Sequence, residues 1–85
     1  MTLDEFKTTL VLLGFTHIRL SPYMTKASHD SVYKSSKSGL VVQIVRKDPY
    51  LVRAYYYPTS TKLFTDDNFD DSLKHVVGHL ELNNE

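Results

Sequence analysis

Residues 40–57, LVVQIVRKDPYLVRAYYY, constrain this chain more than any other stretch. Both halves are dense in β-branched and aromatic side chains, the types that fit a pleated, half-buried surface. Between them Lys47, Asp48 and Pro49 read as a turn, so the two halves fold back on each other as antiparallel strands. Two-residue alternation then sorts their faces. Leu40, Val42 and Ile44 with Val52, Ala54 and Tyr56 form the better buried face, because it hides no charge or amide. The opposite face carries Val41, Gln43 and Val45 beside Leu51, Arg53, Tyr55 and Tyr57. A slip of one residue would exchange the two.

The rest of the chain must supply cover for one of those faces. Thr2 and Glu5 have the spacing of a capping box, and Leu3, Phe6, Leu10 and Leu13 follow at three- and four-residue steps. Gly14 stands where a left-handed C-terminal cap belongs, which predicts a helix over 3–13. Val11 and Leu12 lie off its apolar stripe, so this helix is either well buried or touches a second surface. Residues 15–20, FTHIRL, alternate as a first strand, with Thr16, Ile18 and Leu20 on one face and Phe15, His17 and Arg19 on the other. Ser21 and Pro22 end it, and residues 23–30 read as a loop. Residues 31–35, SVYKS, form a second strand that turns through Gly39 into the central pair. Pro58 to Thr61 close the sheet, and Leu63 and Phe64 make a short extended link. Phe69, Leu73, Val76, Val77 and Leu80 then predict a last helix over 67–82, with carboxylates at its positive end.

The expected architecture is α+β: a two-layer sandwich of helix, three to four antiparallel strands and helix, with both helices on one sheet face. At 85 residues it makes one domain, 1–85. A chain of that size buries roughly 60% of its unfolded surface, enough to fold without staples. Cysteine is absent, which removes disulfides, thiolate metal sites and a thiol nucleophile. No apolar run approaches the ~18 residues of a membrane span, and no basic-then-apolar leader opens the chain. The expectation is a cytoplasmic protein with no membrane contact.

Ten basic and ten acidic side chains cancel, which argues against dominant binding to a polyanion. They are unevenly placed, with Arg46, Lys47 and Arg53 among the central cations and Asp66, Asp67, Asp70 and Asp71 clustered near the end. The helix–strands–helix order resembles a double-stranded-RNA-binding domain in outline. No lysine cluster opens the last helix, however, and its carboxylates would repel phosphate, so no family is assigned.

Catalytic patterns are missing. Ser28, His29 and Asp30 are triad residue types, but adjacent residues do not converge on one reacting atom. Asp71, His75 and His79 share one side of the last helix and are the best geometry for part of a metal site. Val76 stands where a hydrolytic zinc motif needs glutamate, so exposed helix surface is the expectation and neither metal nor cofactor is assigned. The acidic run 66–71 has Phe69 in its midst and no glycine, unlike a calcium loop.

The uncovered sheet face is the remaining candidate. Aromatic and arginine side chains among apolar neighbours match interface cores. Gln43, Arg53, Tyr55 and Tyr57 are the expected partner-binding residues, with Arg19 and Tyr33 behind them and His17 extending the surface. The function expected is a small non-enzymatic protein–protein interaction module, an adaptor or inhibitor of the kind phage and mobile elements encode. It would bind a protein partner by the open face or an edge strand, or pair with its own copy as a homodimer. The alternative is single-stranded nucleic acid, with bases stacked on the same Tyr/Arg face.

Overall fold

The computed structural model describes residues 1–19, 29–47, 49–57, 59 and 61–83. The loop expected at 23–30 falls outside them up to Ser28, as do Leu20, Ser21, Pro22, Asp48, Pro58, Ser60 and the last two residues.

Helix α1 spans Leu3–Leu12. Its capping box forms as the spacing demands: the Thr2 hydroxyl accepts the Glu5 N–H at 3.2 Å, and the Thr2 N–H donates to Glu5 Oε1 at 2.9 Å. Those bonds hold the Glu5 carboxyl below its usual value. The helix ends in a Schellman turn: Gly14 at φ +95° donates to the Val11 carbonyl, and Phe15 donates to Leu10. That turn folds Phe15 back against Leu10, and both enter the core. Phe6 and Leu10 are fully buried, whereas Val11 and Leu12 are exposed, so the off-stripe residues are not covered by the helix's own packing.

Five strands follow: β1 (Thr16–Ile18), β2 (His29–Lys34), β3 (Leu40–Val45), β4 (Leu51–Tyr56) and β5 (Thr61–Asp66). They form one antiparallel meander in chain order. The central register is the expected one, with Leu40 opposite Tyr56, Val42 opposite Ala54 and Ile44 opposite Val52. One strand more is present than the sequence predicts. Leu63 and Phe64, expected as a short extended link, belong to a strand over 61–66 that pairs along β4 with a shift between Ala54 and Tyr55, which leaves Leu63 without a strand partner.

Helix α2 (Phe69–Asn83) starts two residues later than predicted. Asn68 is its cap: its side-chain oxygen accepts the Asp71 N–H at 3.0 Å, and Asp66 in turn accepts the Asn68 N–H. Both helices pack on one side of the sheet. Phe6 stacks on Phe69 at 5.1 Å between ring centroids, and Val76 is buried over Leu40, Val42, Ile44, Val52 and Ala54 in one cluster. No described helix is long and apolar enough to cross a membrane.

An ion pair fastens α1 to the sheet. The Lys7 ammonium lies 2.8 Å from Asp30 at the irregular start of β2, and Arg46 approaches the other carboxylate oxygen at 3.7 Å. Burial pushes the Asp30 carboxyl up, but hydrogen bonds from Lys7 and Ser31 and the charges of Lys7 and Arg46 outweigh it, and the net shift is downward. The bond to Asp30 likewise raises Lys7. A carboxyl depressed by folding contributes stability that is present above its unfolded pKa, about 3.9, and is lost as pH falls through the folded value. The raised Lys7 contributes below about 10.4 and loses its share as pH rises through the folded value. Asp30→Asn is therefore expected to cost about 1–2 kcal/mol at neutral pH. It should also flatten the acid limb of a stability–pH curve measured by urea unfolding; an unchanged acid limb would discount the pair.

Candidate functional site

The side of the sheet away from the helices follows from the register. Gln43 stands directly opposite Arg53, and Val41 opposite Tyr55, so these four share a face. Lys34 joins them through its pairing with Val41, Val32 through Gln43, and Ile18 through Val32. On the far strand Lys62 pairs with Tyr55 and Thr65 with Arg53. Tyr57 continues the alternation just past β4, where its N–H donates to the Gly39 carbonyl.

The face is not flat. Val32 and Val41 are each only 5% exposed, while Tyr57 is 58% exposed. A hollow of about 340 Å³ has Ile18, Val32 and Val41 in its lining, with Arg19, Lys34 and Tyr57 around them. A second, of about 280 Å³, is bounded by Arg53, Lys62 and the backbone strand at Ala54. Gln43 and Tyr55 border both. The Gln43 amide donates to the Tyr55 hydroxyl at 3.3 Å, and the Lys34 ammonium sits 4.0 Å from the centre of the Tyr57 ring. The Arg53 Nε is buried without a hydrogen-bond partner among the described residues. Among the described residues no carboxylate pairs with Arg19, Lys34, Arg53 or Lys62.

Four of the six residues singled out by sequence, Gln43, Arg53, Tyr55 and Tyr57, are thus brought together, and Arg19 borders the same surface. Tyr33 requires correction. It pairs with Val42, which turns it to the helix side, and it is 5% exposed within the core. His17 pairs with Tyr33 and leaves the surface with it, its ring 5.1 Å from the tyrosine ring. Sequence reasoning missed Val32, Lys34 and Lys62. The first two are out of phase with Tyr33, a signal that needs only the correct face for β2; Lys62 was hidden with its strand.

The metal candidates do not gather. The His75 ring stacks on Phe64 at 4.9 Å with its Nε2 3.7 Å from Asp66, and His79 approaches the Phe64 and Tyr56 rings at 6.3 Å. Asp71 serves the helix start through its backbone. Among the described residues no three His, Cys, Asp or Glu side chains are placed to hold a metal ion. Of the triad types, Ser28 lies outside the described residues, and Asp30 is taken by Lys7.

The arrangement defines an α+β sandwich with helices on one side and a basic, tyrosine-bearing sheet surface on the other. Neither a family model, nor a curated protein, nor a solved structure matches the chain.

Proposed function

We propose that this protein is a small non-enzymatic interaction module, an adaptor or inhibitor, that binds a protein partner through the reverse of its sheet. The observation that supports this reading is the grouping of Gln43, Arg53, Tyr55 and Tyr57 over nearly buried valines, on the side where no described helix packs. Interface centres combine such aromatic and arginine anchors with apolar neighbours. A second reading, single-stranded nucleic acid, draws on the four cations that no described carboxylate neutralises.

The test uses the intact protein and its Tyr55→Ala/Tyr57→Ala variant as parallel baits in a native extract. Both rings stand outside the core cluster, so the variant should melt within roughly 5 °C of wild type. A protein retained by wild type, lost with the variant and kept through a roughly fourfold rise in salt supports the first reading. Retention that collapses with salt and brings nucleic acid with it supports the second. Equal recovery on both baits sinks the face altogether.

A further inference from the structure

This inference deepens the interaction reading and rests on it. The Arg53 guanidinium is the anomaly of the surface. Buried donors in native proteins nearly always find an acceptor, yet its Nε has none among the described residues; Gln43, which faces it, donates its amide nitrogen to Tyr55, and its Oε1 does not accept from the Arg53 Nε. Lys62 lines the same hollow, so two cations border it and no described carboxylate pairs with either. The described carboxylates are all elsewhere. Asp4 and Glu5 lie on α1, Asp30 holds Lys7, Asp66 faces His75, and the remainder belong to the start or body of α2. The planar fork of arginine is matched by a two-oxygen anion.

The neighbouring hollow says what carries that anion. Its lining joins Ile18, Val32 and Val41 to Tyr55, Tyr57 and polar or charged side chains, and its aliphatic part offers alkyl contact that a stacked base does not use. One face of Tyr57 is already taken by Lys34, and the Tyr55 hydroxyl by Gln43. We infer that the partner is a protein segment that places an Asp or Glu carboxylate in the Arg53–Lys62 hollow and a bulky apolar side chain over Val32 and Val41. Val32 and Arg53 pair with Gln43 from opposite sides, two strand spacings apart, so the two partner side chains stand about 10 Å from each other.

The probes are short synthetic peptides carrying one Glu and one Leu at varied separation, with Lys-for-Glu and Ala-for-Leu counterparts and a thymidine single strand. Binding is followed by backbone amide shifts of the full chain. Glu/Leu peptides should move Val41, Gln43, Arg53, Tyr55 and Lys62, and Lys-for-Glu should abolish the effect. Arg53→Met should weaken binding by about tenfold or more, and Lys62→Ala by less. Arg53→Met removes an unpartnered buried donor, so its Tm should equal or exceed that of wild type, which separates lost binding from lost folding. The proposal is overturned if Glu and Lys peptides bind alike, if no Glu peptide binds, or if the thymidine strand binds more tightly than every peptide. An extract partner lost with Tyr55→Ala/Tyr57→Ala but kept by Arg53→Met would overturn the carboxylate hollow while leaving the interaction reading intact.

Discussion

Phe6→Ala is expected to remove about 3–5 kcal/mol of stability, a large part of the total for a small protein. The side chain is fully buried, and its ring stacks on Phe69, so it is the point at which α1 grips α2 above the sheet. Truncation removes the transfer energy of the ring and leaves a cavity that two helices tied to one sheet cannot easily collapse. Tyr57→Ala, at a residue 58% exposed on the reverse of the sheet, should change stability by only about 0.5 kcal/mol or less. Urea unfolding of the two variants side by side measures the asymmetry between the faces. Similar losses from both would mean that the reverse of the sheet is also core.

Gly39→Val should cost about 2–3 kcal/mol. Gly39 sits at φ +74°, and a Cβ there would meet the Tyr57 carbonyl oxygen at 3.1 Å. Two bonds hold the glycine where it is: its N–H donates to Ser35 at 2.8 Å, and its carbonyl accepts the Tyr57 N–H at 2.9 Å. The strain cannot be relieved without opening the β2–β3 turn or the end of the β3–β4 pair. Gly14 has a similar left-handed backbone with open space around it, so Gly14→Ala carries strain without collision and should cost only about 1 kcal/mol. Thermal or urea unfolding should rank Gly39→Val well below Gly14→Ala; the reverse order would place the pivot of the fold at the helix end instead.

The parts of this fold that were legible in the sequence are those where one local rule acts alone. Thr2 and Glu5 announce α1, Gly14 closes it, and in the central hairpin Gln43 and Arg53 mark the face opposite to Leu40, Val42, Ile44, Val52 and Ala54. What was hidden lies at irregularities. In β5 the shift opposite Ala54 and Tyr55 brings the adjacent Leu63 and Phe64 both against the core, which erases the two-residue period by which strands are recognised. The same effect at the start of β2, where the register shifts between His29 and Ser31, obscured the true beginning of that strand. The β2 face was misjudged for another reason. Val32 and Tyr33 are equally hidden, so apolarity does not choose between them, and only the partner Val42 shows which points to the helices. The site inherited these limits: its β3–β4 residues were readable, while Lys62 and Val32 required the neighbours.

The cations gathered on the reverse of the sheet change what an overall charge of zero means. Along its thinnest axis the protein measures 21 Å, and at physiological salt an exposed charge is felt over only about 8 Å. A visitor nearing that surface senses Arg19, Lys34, Arg53 and Lys62 more strongly than the carboxylates of the two helices. A balanced composition, with an isoelectric point near 6.9, therefore coexists with a surface that is locally positive.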